Sequence, residues 1–280
     1  MNVQDLINAY GLDILVILKP HISGNHAEHV ISQVGLPRHF QVDLIGLSSG
    51  IWVLWDNHKC NVDVVQATKQ SVAMIIKVPY SSQYTPWLFS AIYASPILHK
   101  CMHIWTYLKN VASKYNMPRL VMGDFNEILD TTDKIGGQPL IASHVYAFHE
   151  CLNQCSHFDL ITSGPNCIWT NKNWDRRWRW HIREKLDRAF INAEWQVLFP
   201  KGHCLTLPRF HSDHCPIIMS TEGWERHSPI KQLIFNLCGR PTLFSINRSP
   251  RVGSHMNPRL WVWTTSRLIS IKKFTTFKVV

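Results

Sequence analysis

A carboxylate and an amide two positions apart close the apolar run Leu120-Val121-Met122-Gly123-Asp124-Phe125-Asn126. A short run of this composition is a buried-strand pattern, and in an extended chain positions two apart share a face. Asp124 and Asn126 would then sit together at the mouth of a strand. There a carboxylate can orient a water or a metal, and an amide can hold a phosphate oxygen or the carboxylate itself. Taken alone, the same residues also fit a strand followed by an Asx turn with no chemistry. A second group, Ser212-Asp213-His214, precedes the apolar run Ile217-Ile218-Met219. A hydrogen-bonded loop histidine is the plain reading of that Asp-His pair. Between the two groups lies Leu186-Asp187-Arg188, an acid at the start of another apolar stretch. Such an acid is expensive to bury unpaired, although Arg183 or Arg188 could balance it.

These groups meet only if strands carry them to one rim. Asp13 to Leu18, Ile51 to Trp55, Val62 to Val65, Ser71 to Val78 and Leu88 to Tyr93 are strand patterns, those from Ile51 to Val78 joined by short polar turns. Residues 98–115 place Ile104, Trp105, Leu108 and Val111 at helical spacing, and residues 141–155 do so with Val145, Phe148, Leu152 and Cys155. Ala193 to Phe199 reads as a short helix, followed by a strand around Leu205. From Arg177 to Trp180 arginine and tryptophan alternate, so an extended hairpin over residues 171–183 would be aromatic on one face and basic on the other. Arg176, Arg177, Trp178 and Arg179 are therefore the best local candidates for holding nucleic acid, with phosphates on the guanidinium groups and bases on the indole. A packed hairpin with solvated arginines explains them equally well.

At 280 residues and 45% hydrophobic content, the chain can bury a large core. It has no apolar run near the length of a membrane span. Met1-Asn2-Val3-Gln4-Asp5 lacks the basic-then-apolar order of a secretory signal. The eight cysteines form no CxxC pair, and Cys151 and Cys155 share a helical face without further zinc ligands in register. Reduced, mostly buried thiols suit an intracellular compartment. The net charge of +10 is unevenly spread. Residues 221–280 hold ten Lys/Arg and two Asp/Glu, which leaves nineteen and seventeen in residues 1–220. Bulk charge is thus weak evidence for a nucleic-acid partner, and any basic groove must be local.

As a set and in this order, Gly123-Asp124-Phe125-Asn126, Leu186-Asp187-Arg188 and Ser212-Asp213-His214 resemble the endonuclease/exonuclease/phosphatase superfamily. The resemblance is closer still to the endonuclease domain of plant LINE-type (non-LTR) retrotransposons. Gly50-Ile51-Trp52-Val53-Leu54-Trp55-Asp56, Tyr93-Ala94-Ser95-Pro96, Gly136-Gly137, Ser163-Gly164-Pro165 and Trp169-Thr170-Asn171 stand where that subfamily has like segments. The resemblance implies an α+β, DNase I-like fold, a four-layer α/β/β/α sandwich, over residues 1–220. It also implies Mg²⁺-dependent hydrolysis of a phosphodiester in DNA. In that scheme Asp124 activates the attacking water or protonates the leaving oxygen, and Asn126 aligns it. Tyr93 and His214 stabilise charge on the phosphate. Asp213 and Asp187 orient the histidine and serve the metal.

Two departures qualify the resemblance. Lys19, in Leu18-Lys19-Pro20-His21-Ile22-Ser23-Gly24, stands where the superfamily has its metal-binding glutamate. An ammonium cannot ligate Mg²⁺ and puts positive charge where the cation would sit. The superfamily's first strand, carrying Trp-Asn-x-Arg-Gly, also has no counterpart in the eighteen residues before Lys19. An N-terminally truncated sandwich is expected, with unpaired backbone groups, an exposed apolar face and lower stability than a complete domain. Beyond Ser220 the resemblance stops, and residues 221–280 read as a basic, poorly ordered tail. The expected protein is an impaired DNA endonuclease of retrotransposon origin, intracellular and nuclear if functional. A catalytically inactive nucleic-acid-binding remnant, or a related phosphatase or phospholipase, are the alternatives.

Overall fold

The computed structural model describes residues 3–42, 50–77, 85–171, 181–209 and 212–223, and the backbone of residues 260–265. The chain begins with α1 (Val3–Tyr10), β1 (Leu12–Leu18), α2 (Gly24–Val34), β2 (Arg38–Val42) and β3 (Ile51–Trp55). Next come β4 (Asn61–Thr68), β5 (Ser71–Lys77), β6 (Trp87–Tyr93), α3 (Leu98–Lys114), β7 (Arg119–Asp124) and β8 (Lys134–Ile135). The middle of the chain supplies α4 (Ala142–Gln154), β9 (Phe158–Asp159), β10 (Thr162–Ser163), β11 (Trp169–Thr170) and β12 (Arg183–Glu184). It finishes with β13 (Asp187–Ile191), α5 (Ala193–Leu198), β14 (His203–Thr206), β15 (Ile217–Ser220) and β16 (Leu260–Thr265). No described helix is long and apolar enough to cross a membrane.

Two large sheets result, ordered β10-β14-β15-β16-β1-β3-β2 and β4-β5-β6-β7-β13-β9, with a small sheet β11-β12-β8 beside them. Period-two alternation explains how they stack. In β1, Ile14, Val16 and Leu18 point into a core shared by both sheets, while Leu15 and Ile17 point the other way. The shared core takes Val72, Met74 and Ile76 of β5, Phe89 and Ala91 of β6, Leu120 and Met122 of β7, and Ala189 and Ile191 of β13. Each fully buried aliphatic side chain there is worth about 1.5–3 kcal/mol. Side chains of the opposite parity, Val121 and Phe190 among them, meet α3 and α4 on the outer face of the second sheet. Leu15 and Ile17 meet α1 and α2 on the outer face of the first. The order of layers is therefore helix, sheet, sheet, helix.

The helices form for identifiable reasons. Cys101, Ile104, Trp105, Leu108 and Val111 make one buried stripe on α3. Trp105 stacks on Phe148 of α4, with ring centroids 4.5 Å apart. The sequence pattern did not mark α2, yet its Ala27, Val30, Ile31 and Val34 are buried at the same spacing. Gly35 ends α2 at φ +87°, a left-handed turn that favours glycine.

The sequence suggested that a central strand is missing. In the structure a strand from the far end of the chain lies beside β1. β16 pairs in parallel with β1 over Leu12 to Leu18 and antiparallel with β15. Leu-Trp-Val-Trp-Thr-Thr is rich in aromatic and β-branched residues suited to a strand. The rest of residues 224–280, and the Arg/Trp segment 172–180, lie outside the described residues.

Candidate active site

Strand parity delivers the first acids. Asp124 ends the series Leu120, Met122, Asp124 on the inner face of β7, and Asp187 begins the inner series Asp187, Ala189, Ile191 of β13. The antiparallel register sets Asp187 directly opposite Asp124, and the parallel β6–β7 register sets Tyr93 beside Asp124. Three side chains thus converge at one end of the sandwich because their strands end there. Like charges facing one another across a ladder are unfavourable, so a positive group between them is needed.

His214 supplies it. The loop before β15 is anchored by an isolated bridge between His214 and Trp169, by Thr170 N–H donating to Asp213 O (3.1 Å), and by His214 N–H donating to Ser212 Oγ (3.1 Å). The ring donates from Nδ1 to Asp187 Oδ2 at 2.6 Å, and its Nε2 lies 4.0 Å from Asp124 Oδ2. Burial alone would push the imidazole down. The charge and hydrogen bond of Asp187, with the charges of Asp124 and Asp213, override that and hold its pKa up at about 9. The ring therefore favours its charged form at neutral pH, between Asp187 and Asp124. Burial pushes the Asp124 carboxyl up, to about 7, against the lowering effects of His214, Lys19 and the Asn126 N–H. Asp124 sits in the range useful to a group that accepts and returns a proton.

Asn126 follows the same acid. Its backbone N–H donates to Asp124 Oδ1 (3.0 Å) and its side-chain amide to Ala94 O (2.7 Å), so it ties the loops after β7 and β6 together. The Asx turn that the sequence allowed is present. The turn bends at Asn126, φ +46°.

Lys19 belongs to the same place. Its ammonium lies over the Tyr93 ring, 4.5 Å from the centroid, and its charge acts on Asp124. Arg188, which might have balanced Asp187, points the other way because neighbours in a strand face opposite sides. It pairs instead with Asp133 and with Asp159 (2.8 Å), fixing the loop after β7. Nothing in the motif order pointed to that pairing, since Asp133 and Asp159 lie in segments without a shared pattern. Arg176, Arg177, Trp178 and Arg179 lie outside the described residues.

Asp124, Asp187 and His214 present ligand atoms within 4.8 Å of one another, a grouping able to contact a metal ion. Asp213 is not in that trio and stands beside it, acting on His214 through its charge. Two oxygens of the trio, Asp124 Oδ2 and Asp187 Oδ1, are buried without a hydrogen-bond partner, as metal ligands would be. The surroundings are wrong for Mg²⁺, however. The ion asks for an octahedron of oxygens, whereas the imidazole is held protonated and Lys19 adds a second positive charge. With Lys19 in place, the residues do not fit a tightly held divalent cation.

No family model matches the sequence, and no curated protein matches it. Solved structures do. An AP endonuclease, LMAP, from Leishmania major aligns over 77% of this chain and 80% of its own, at TM-score 0.57 and 12% identity. The endonuclease domain of TRAS1, a telomere-specific non-LTR retrotransposon, aligns over 78% and 89%, at TM-score 0.57 and 14% identity. A conserved protein of unknown function from Enterococcus faecalis V583 aligns over 77% and 87%, at TM-score 0.51 and 18% identity. The chain has the DNase I-like fold.

Proposed function

We propose that the chain is a DNA endonuclease scaffold of retrotransposon origin, built for phosphodiester hydrolysis and impaired in turnover by Lys19. The observation that carries this reading is the buried Asp187–His214–Asp124 array at the strand ends, with Tyr93 and Asn126 beside it. The fold likeness to two endonucleases, one from a retrotransposon, supports it.

The chain's own residues divide the work. Asp124 takes the proton of the attacking water or returns one to the leaving oxygen. Asn126 holds that carboxylate in place through its backbone N–H. His214, kept charged by Asp187, and Tyr93 stabilise negative charge on the phosphate. Fixed donors of this kind are worth about 10²–10³ in rate apiece. Bound Mg²⁺ would add neutralisation of the phosphate, typically several kcal/mol, and Lys19 stands in its way.

Plasmid nicking, with and without Mg²⁺, tests the proposal. The wild-type chain is expected to nick weakly or not at all, and Lys19→Glu to gain Mg²⁺-dependent nicking by orders of magnitude. Vigorous Mg²⁺-dependent nicking by the wild-type chain would overturn the impairment. No gain in Lys19→Glu, with the protein folded, would overturn the scaffold's assignment to hydrolysis.

A further inference from the structure

Asp124 and Asp187 leave one carboxylate oxygen each without a hydrogen-bond partner, in side chains at most 1% exposed. Buried oxygens of that kind are costly unless positive charge faces them. His214 is committed to Asp187 by its 2.6 Å hydrogen bond. The other positive charge that acts on Asp124 is Lys19.

Lys19 is held there by its backbone as well as its charge. Its N–H donates to Gly50 O at 3.0 Å, and it adopts φ +52°, a left-handed conformation that non-glycine residues rarely take. The Tyr93 ring receives the ammonium. Lys19 is half-buried whereas both acids are at most 1% exposed, so of these three residues Lys19 is the one solvent reaches. A lysine offers three donors on a compact charge, a good match for a phosphate oxygen.

We infer that Lys19 is the site's built-in cation: seated over Tyr93, the register neighbour of Asp124, it binds a nucleic-acid phosphodiester without a divalent metal. The inference rests on the reading of this pocket as a phosphodiester site and replaces the metal by a side chain. It also fixes what Lys19→Glu does. A third carboxylate beside two unpartnered carboxylate oxygens is an oxygen donor set that Mg²⁺ takes, and the anion then binds only through the metal.

The test is calorimetric titration of the full-length chain with thymidylyl-thymidine, which carries one phosphodiester, in EDTA and in Mg²⁺. Inorganic phosphate in a parallel arm distinguishes a diester site from a general anion site. The wild-type chain is expected to bind the dinucleotide equally well in both buffers. Lys19→Gln should bind roughly tenfold more weakly, the worth of one charge-assisted hydrogen bond, and Lys19→Arg should retain affinity. Lys19→Glu should bind only with Mg²⁺ and be the one variant whose melting temperature Mg²⁺ raises. Unchanged affinity in Lys19→Gln, or wild-type binding that needs Mg²⁺, overturns the role of Lys19. Phosphate binding more tightly than the dinucleotide overturns the diester assignment. Absence of binding throughout, Lys19→Glu with Mg²⁺ included, sinks the phosphodiester reading itself. Melting curves check that each variant folds, and the Arg and Glu variants decide the matter should Lys19→Gln not fold.

Discussion

His214 and its acids make the site's behaviour depend on pH in a direction that can be worked out. The histidine's pKa is raised from 6.5 to about 9 in the folded chain. Its charged partnership with Asp187 therefore contributes stability in full below pH 6.5, and that contribution is lost as pH rises through about 9. Asp124 acts in the same sense, because burial makes its charged form costly as pH climbs from the ordinary carboxylate range through about 7. Urea unfolding across this range should show the wild-type chain losing a few kcal/mol between pH 6.5 and about 9. Asp187→Asn removes the histidine's raised pKa and should flatten that part of the profile. Equal slopes for the two proteins would contradict the buried ion pair. Asp124, Asp187 and His214 were legible in the sequence because each closes or opens an apolar run. Two things were not: that His214 selects Asp187 rather than Asp213, and that Lys19 reaches Tyr93. Both depend on which strand ends meet in space.

At the level of elements, parity along strands and the helical period carried most of the fold. Strand β1 and helices α3 and α4 fall where their apolar spacing put them, within a residue or two. Helix α2 escaped because His26, Glu28 and His29 break up a short apolar stripe that follows Pro20 and Gly24. The link between elements that spacing could not show is Arg188, whose guanidinium joins Asp133 in the loop after β7 to Asp159 in β9. Asp133 also accepts backbone N–H bonds from Leu129 and Asp130, both at 3.2 Å, so one carboxylate organises the loop. Arg188→Met keeps the buried stem and strands Asp133, which is 5% exposed, without its cation. Removing one partner of a buried pair typically costs about 3–5 kcal/mol. Chemical denaturation should register a loss of that size. A change under about 1 kcal/mol, the range of exposed pairs, would mean that the loop is held by its backbone alone.

The molecule as a whole depends on a strand borrowed from its far end. β16 lies between β1 and β15, with ladders on both sides, so the larger sheet is continuous only when residues 260–265 are present. The sequence read residues 221–280 as a basic tail, and Leu260 to Trp263 passed unmarked because no flanking motif frames them. A chain ending at residue 223 would expose the β1 and β15 edges and open the core beneath them. Unpaired apolar edges template association with other chains. The shortened chain is expected to melt well below the full-length protein and to elute as oligomers in size exclusion. A synthetic peptide spanning residues 257–268, added in trans, should restore the monomer and raise the melting temperature by inserting as the missing strand. If the shortened chain is monomeric and melts with the full-length protein, the sheet closes without β16. The sandwich would then have to hold Lys19 and Asp124 together through β3 and the shared core alone.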